Sequence, residues 1–146
     1  MNKLLLASAS PRRHELLTLL GIPFETYSAD IDESIPSHMT PEEAVQELAF
    51  QKANAALQKF NDKGVCNLTK RKKILFFEKT DVTFWELTQQ EILAYVDSKE
   101  PFDKAGSYGI QGKAALFVKG IQGDYYNVVG LPVSRLAREL AQFASS

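Results

Sequence analysis

The chain has 146 residues, 24% of them charged, and a net charge of −1, which is the size and composition of an ordinary globular domain. This charge gives no general reason to bind nucleic acid, and no apolar run approaches the roughly eighteen residues of a membrane span. From these two features we predict neither a nucleic-acid nor a membrane partner. The one cysteine, Cys66, excludes an intramolecular disulfide, which favours a reducing compartment, so we predict a cytoplasmic protein.

The chain opens with a predicted strand, a tight loop and a helix. The apolar run from Lys3 to Ala7 is typical of a buried strand. Ser10 is a preferred N-cap residue and Pro11 suits the first helical position, so we expect a helix from here to Gly21. The expected apolar face of this helix consists of Leu16, Leu17, Leu19 and Leu20.

Two further helices begin with capping boxes. The segment Thr40 to Glu43 has this spacing and predicts a helix that runs to about Phe60. The segment Thr88 to Glu91 repeats it before a shorter helix that ends near Pro101. The predicted buried stripe of the longer helix consists of Val45, Leu48, Ala49, Ala53, Ala56 and Leu57.

The second half of the chain predicts three strands and a closing helix. Ile74 to Leu87 alternates and is rich in β-branched and aromatic residues, which indicates one long strand. Ala114 to Ile121 and Tyr125 to Val129 flank Gln122-Gly123-Asp124 and predict a hairpin, and Pro132 to Phe143 predicts a helix. The order β-α-α-β-α-β-β-α favours an α/β sandwich with a mixed sheet, in one domain over the whole chain.

The start of the first helix is a candidate phosphate site. The first backbone N–H groups of a helix have no intrahelical partner, and the helix dipole adds positive charge there. Ser8, Ser10, Arg12 and Arg13 add two hydroxyls and two guanidiniums, whose planar fork of donors fits phosphate oxygens. The alternative from local chemistry is that Ser10 only caps the helix and the arginines are solvated.

A second candidate segment, Asp103 to Gly112, contains three glycines that permit close approach of a ligand to the backbone. By residue chemistry, Asp103 is suited to a metal, Lys104 to phosphate, and Gln111 to a base edge through its paired donor and acceptor.

With this second motif the sequence strongly resembles the Maf family of nucleoside triphosphate pyrophosphatases. The motifs are Leu6 to Arg13, Asp103 to Gly112 and Gly123 to Pro132, within a match over roughly residues 3 to 60 and 74 to 140. The resemblance implies a Maf/ITPase-like fold and metal-dependent hydrolysis of a nucleoside triphosphate to the monophosphate and pyrophosphate, in a cleft between two lobes. The form of the second motif looks like the branch that acts on dTTP and UTP, with magnesium as the expected metal.

The resemblance also assigns roles to individual residues. The residues of the phosphate-binding loop are Ser8, Arg12 and Arg13, with Ser10 and Lys104 as further expected substrate contacts. Glu33 and Lys52 line the cleft, and Gln111 contributes to base selection. Glu33 and Asp103 are the expected metal-binding carboxylates. Without the resemblance, Glu33 reads as a surface carboxylate and Lys52 as a lysine whose stem packs on its helix.

The sequence departs from the family between the second helix and the strand that follows. The family carries there an Ala-Asp-Thr strand end, whose aspartate is taken as general base or metal ligand, and a Gly-Lys-Pro lysine. Neither string occurs here, and residues 61–73 form an irregular connection instead. We therefore expect an internal deletion, nucleotide binding that outlasts catalysis, and exposed faces that a homodimer would cover.

Two other functions remain open at this point. A non-catalytic nucleotide-binding or cell-division regulatory protein is favoured by the missing Ala-Asp-Thr segment. An RNA-binding domain rests only on Lys70 to Lys73, which lack the interleaved aromatic residues of such surfaces.

Overall fold

A computed structural model describes residues 4–62, 72–103 and 109–145. The chain divides into two compact units, the first made of Met1–Phe77 with Val133–Ser146 and the second of Glu78–Pro132. Each unit contains helices and a small sheet, which confirms the α/β class. One domain over residues 1–146 stays a prediction, as does the sandwich.

The first unit pairs two short strands beside three helices. Its elements are β1 (Leu4–Leu6), α1 (Pro11–Thr18), β2 (Phe24–Thr26), α2 (Pro41–Asp62) and α5 (Val133–Ser145). β1 and β2 are parallel, with Leu4 opposite Phe24 and Leu6 opposite Thr26. The backbone N–H of Tyr27 donates to the Leu6 carbonyl at 2.8 Å, which extends the pairing by one residue. The sequence prediction contained β1 but not β2.

The predicted start of α1 is confirmed, whereas the helix ends at Thr18, three residues before Gly21. Pro11 is its first residue, and Gly21 follows its end with φ +64°, a left-handed conformation that glycine adopts without steric cost. Leu16 and Leu17 are buried, as predicted. The prediction was wrong for Leu19, whose side chain is 65% exposed because it follows the last helical turn.

α2 begins with the predicted capping box. The Thr40 N–H donates to Glu43 Oε2 at 2.9 Å, and the Glu43 N–H donates to Thr40 Oγ1 at 3.2 Å. These reciprocal bonds satisfy two backbone donors at the helix start. The helix buries Ala44 and Ala56. The predicted buried stripe was wrong for most of its members, since the exposed ones are Val45, Ala49, Ala53 and Leu57.

The described lysines of the predicted basic run lie against aromatic rings of the first unit. Lys72 Nζ is 4.8 Å from the ring centre of Phe143 and donates to the Phe143 carbonyl at 3.3 Å. Lys73 Nζ is 4.3 Å from the ring centre of Phe50. Such contacts between ammonium groups and ring faces are favourable. Residues 63–71 of the predicted irregular connection lie outside the described residues. They include Cys66, Lys70 and Arg71.

The second unit is built around an antiparallel strand pair. Its elements are β3 (Asp81–Phe84), α3 (Gln89–Asp97), a 3₁₀ turn (Glu100–Asp103), a 3₁₀ helix (Gly112–Phe117), β4 (Val118–Gln122) and α4 (Tyr125–Val129). In the strand pair Asp81 lies opposite Gln122 and Thr83 opposite Gly120. The capping box of α3 is confirmed, because the Thr88 N–H donates to Glu91 Oε2 at 2.8 Å and the Glu91 N–H donates to Thr88 Oγ1 at 3.2 Å.

Two strand predictions were wrong. Of the predicted strand Ile74 to Leu87, only Asp81–Phe84 is a strand, because β4 offers pairing partners only to that segment. The predicted hairpin is replaced by the order 3₁₀ helix, β4, α4. β4 pairs with β3, about forty residues earlier in the chain, and Tyr125–Val129 is helical.

Contacts around Gly123 explain why the chain continues as a helix and not as a returning strand. The Asp124 carboxylate accepts a hydrogen bond from the Tyr126 N–H at 2.8 Å, which caps α4. Thr80 Oγ1 donates to the Asp124 carbonyl at 2.9 Å. A Cβ on Gly123 would lie 2.9 Å from the carbonyl oxygen of Lys79, so only glycine lets the backbones approach this closely.

Replacing Lys99 with glycine is expected to raise the free energy of unfolding by about 0.5 to 1 kcal/mol. Lys99 has φ +60° just after α3, and a side chain with a Cβ is strained in this left-handed conformation. Urea denaturation measures the effect. Lys59→Gly, at an exposed position in the last turn of α2, is the matched control and should lower stability by about 0.5 to 1 kcal/mol. A Lys99→Gly variant as unstable as the control would contradict the strain.

Candidate functional site

The loop between β1 and α1 is ordered by its two serines. Ser10 is the N-cap residue of α1, and its Oγ accepts a hydrogen bond from the Arg13 N–H at 3.4 Å. Ser8 Oγ accepts a hydrogen bond from the Ser10 N–H at 3.2 Å. Both hydroxyl oxygens are therefore used as acceptors by the backbone, while each hydroxyl hydrogen can still be donated to a ligand.

The charges at the start of α1 favour an anion. The first turns of α2 and α3 carry acidic residues, which are stabilising beside the positive end of a helix. The first turn of α1 has none and carries Arg12 and Arg13 instead. Arg12 is half-buried and Arg13 is exposed. Two cations at the positive end of a helix oppose its dipole, and a bound anion removes that conflict.

Glu33 and Lys52, which are 19 positions apart in the sequence, are brought together in the first unit. Lys52 Nζ lies 2.6 Å from Glu33 Oε1, with side chains that are 27% and 59% exposed, respectively. Lys52 projects from α2, and Glu33 belongs to the loop before that helix. In this loop the Asp32 carboxylate accepts a hydrogen bond from the Ser34 N–H at 2.9 Å, so the backbone on both sides of Glu33 is held.

The first unit also contains a cavity of about 430 Å³ that was not predicted from the sequence, and residues next to Glu33 and Lys52 in the sequence line it. It is lined by Ser34, Ile35, Pro36, Met39, Glu47, Leu48 and Gln51. Across its α2 wall, Gln51 Nε2 donates to Glu47 Oε1 at 2.8 Å. The sequence signal for this wall is the i, i+1, i+4 spacing of positions 47, 48 and 51, which places them on one face of the helix.

The remaining predicted site residues belong to the second unit. Asp103 ends the 3₁₀ turn, but its side chain and the whole of Lys104 lie outside the described residues. Gln111 is the N-cap residue of the 3₁₀ helix and is exposed. Its side chain makes no capping hydrogen bond, so the amide is not used to order its own helix.

The described side chains do not form a protein-only metal cage. In residues 4–62, 72–103 and 109–145, no three histidine, cysteine, aspartate or glutamate side chains converge as a metal site. Magnesium stays a prediction, because an ion that binds through one or two carboxylates, substrate phosphates and water does not need such a cage.

The sequence is similar to proteins named dTTP/UTP pyrophosphatase from Bacillus cereus (strain AH820), Bacillus anthracis (strain CDC 684 / NRRL 3495) and Bacillus thuringiensis subsp. konkukian (strain 97-27). Each is 45% identical over 184 aligned positions, which cover 98% of this chain and 96% of the relative. In the part of the chain that the structure describes, no helix is both long enough and apolar enough to cross a membrane.

The model of one protein family, described as Maf-like protein, matches residues 3–68 and again 63–143. Together these segments take in nearly the whole chain, including the motifs at the start of α1 and around Gln111. The chain therefore belongs to the family of Maf-like proteins.

Proposed function

We propose that this protein is a nucleoside triphosphate pyrophosphatase that hydrolyses dTTP and UTP to the monophosphate and pyrophosphate. The observation that carries the proposal is 45% identity, over nearly the whole chain, to relatives named for this activity. The start of α1 supports it physically. There, two arginines stand where other helices of this protein carry carboxylates, which suits the triphosphate of a nucleotide.

We assign the substrate contacts as follows. Ser8, Ser10, Arg12 and Arg13 bind phosphate oxygens at the helix start. Lys52 neutralises phosphate charge, and it is held in place by Glu33 until a ligand competes for it. Lys104 is a further phosphate contact, and Gln111 reads the base.

We also propose magnesium as the cofactor, with Glu33 and Asp103 as its protein ligands. A divalent cation would neutralise charge on the triphosphate and so ease the attack of water on phosphorus. The support from this chain is the Glu33 carboxylate, because carboxylate oxygens are the ligands that a hard cation prefers.

We infer that a block of the family's chain is missing between α2 and β3, and that the family's mixed-sheet sandwich is shortened accordingly. The alignment with the relatives has 184 positions, so at least 38 of them have no counterpart among the 146 residues of this chain. The two family matches meet at residues 63–68, directly after α2. The strings Ala-Asp-Thr and Gly-Lys-Pro are absent from the sequence.

This missing block favours a second candidate function, a non-catalytic nucleotide-binding or cell-division regulatory protein. Loss of the family's catalytic aspartate and one lysine removes groups that act on the transition state, whereas the residues at α1 that bind phosphate are retained. Binding then persists where hydrolysis is weak or absent.

A cytoplasmic location and a homodimer complete the proposal. The single cysteine supports the cytoplasmic location, and the apolar side chains exposed in both units support the homodimer.

The deciding experiment measures pyrophosphate and monophosphate released from dTTP and UTP by the pure protein with MgCl₂. The double variant Arg12→Ala, Lys52→Ala, purified in the same way, is the control for contaminating phosphatases. Release by the parent alone supports the enzyme, and equal release by both preparations contradicts it. If calorimetry shows dTTP binding without release, the second candidate is correct, and a protein that neither binds nor hydrolyses dTTP contradicts both functions.

A further inference from the structure

Glu100 holds the backbone that follows Gln111. Glu100 Oε2 accepts a hydrogen bond from the Lys113 N–H at 3.1 Å, and Oε1 accepts one from the Ala114 N–H at 3.3 Å. These two N–H groups lie in the first turn of the 3₁₀ helix, and the Lys113 N–H comes before the first i→i+3 bond, so it has no partner inside the helix. Ala114 is 2% exposed, so its N–H would lose a hydrogen-bond partner in a buried setting if Glu100 were removed.

The close fit of Glu100 against Gly112 adds to this restraint. Gly112 has φ +64°, and a Cβ at this position would lie 2.7 Å from Glu100 Oε1. The carboxylate therefore occupies the space where a side chain would be at the residue next to Gln111. A left-handed glycine and a carboxylate packed against it together fix the direction in which the chain leaves Gln111.

The Gln111 side chain does not cap the 3₁₀ helix, and the Glu100 carboxylate accepts from the first turn instead. At other helix starts this acceptor is commonly a serine, threonine, aspartate or asparagine at the N-cap position. Here the Gln111 amide makes no such bond and is exposed, although its backbone is ordered on the C-terminal side. An exposed amide on a fixed backbone can distinguish ligands by the position of their hydrogen-bonding groups.

We infer that Glu100 is a positioning residue for base discrimination, acting through Gln111. The inference rests on the proposed function and adds a residue to it. Thymine and uracil present a ring N–H beside a carbonyl oxygen, and guanine presents the same pair on a larger ring system. An amide can pair with either pattern. Discrimination by Gln111 therefore depends on where its amide stands, which Glu100 determines.

The test compares the Kd values of dTTP and dGTP by calorimetry, because binding remains measurable where hydrolysis is slow. The ratio of the dGTP Kd to the dTTP Kd is expected to fall by about tenfold in Glu100→Ala. The reason is that the Gln111 amide is no longer held where it can make its hydrogen bond to the base of dTTP. Glu100→Gln retains an acceptor oxygen and should keep the ratio within about threefold of the parent. Glu100→Asp, with the same charge and a shorter reach, is the second variant should Glu100→Ala fail to fold, and it should lose part of the ratio.

A double-mutant cycle separates positioning from general damage. In a Gln111→Ala background, Glu100→Ala should leave the Kd ratio unchanged within about twofold, because the residue through which it acts is gone. Glu91→Ala is the matched control, since Glu91 also accepts from a backbone N–H in the second unit, and it should lower stability without changing the ratio.

The outcomes distinguish failure of the inference from failure of the proposed function. A parental protein that prefers dTTP, with the same preference in Glu100→Ala, would overturn the role of Glu100 alone. An equal fall of the ratio in both backgrounds would also overturn it. A parental protein that binds neither nucleotide would overturn the proposed function and the role of Glu100 with it.

Discussion

Replacing Arg12 with alanine is expected to weaken dTTP binding by one to two powers of ten. The substitution removes a charge-assisted contact to phosphate worth about 1.5 to 3 kcal/mol, which gives that change in Kd. Stability should not fall. Ser10, and not Arg12, supplies the cap of α1, and a cation beside the positive end of a helix is slightly unfavourable. The melting temperature should therefore stay the same or rise slightly.

The combination of weaker binding and unchanged stability is measured by calorimetry and thermal unfolding of the same samples. Arg138→Ala, which removes an exposed arginine of α5 in the same unit, is the matched control and should leave the Kd unchanged. Arg13→Ala is the companion variant on the first turn of α1. If both Arg12→Ala and Arg13→Ala bind dTTP as tightly as the parent, the phosphate site is not at this helix.

Replacing Glu33 with glutamine is expected to change dTTP binding in opposite directions with and without magnesium. Without metal, Glu33 competes with phosphate for Lys52, an exposed pair worth up to about 1 kcal/mol, so the variant should bind about two- to fivefold more tightly. With magnesium, the variant lacks a charged ligand for the cation and should bind about tenfold more weakly or worse. Parallel titrations in EDTA and in MgCl₂ measure both effects.

Glu42→Gln is the control for this second prediction, because Glu42 is a carboxylate on the first turn of α2 and outside the proposed site. It should leave the response to magnesium as in the parent. Weaker binding of Glu33→Gln in both buffers would contradict a metal-binding role for Glu33. Equal binding in both buffers by the parent and the variant would show that the cation does not use this carboxylate.

Local hydrogen-bonding chemistry explains why the helix starts were predictable. A capping serine or threonine and the residue three positions later are linked by bonds that need nothing from the rest of the chain. Ser10, Thr40 and Thr88 all make them as predicted. The same reasoning located the candidate phosphate site, because a helix start is defined by neighbours in sequence. The family match covers this segment, and the assignment of phosphate binding to it stays a prediction.

The pairing of Glu33 with Lys52 was predictable only in part. The resemblance to the family placed both residues at a cleft, but neither has a local pattern that identifies a partner. The ion pair depends on how the loop before α2 folds back on the helix, which the Asp32 carboxylate helps to fix. The adjacent cavity is similarly a property of that folded loop and had no counterpart in the sequence analysis.

By itself the sequence determined the family and the helix starts and predicted the candidate site, because motifs and caps depend on neighbours along the chain. Tertiary structure decided which apolar side chains of α2 are covered. Ala44 and Ala56 are buried, whereas Val45 and Leu57 are exposed.

Tertiary structure also decided the strand pairing. β4 pairs with the distant β3, and the strand that was predicted after Gly123 is a helix, because hydrogen bonds between strands link residues far apart in sequence. The support of Gln111 by Glu100 is of the same kind. A carboxylate eleven positions away reaches the first turn of the 3₁₀ helix only because the chain folds back there, and no periodicity in the sequence records that approach.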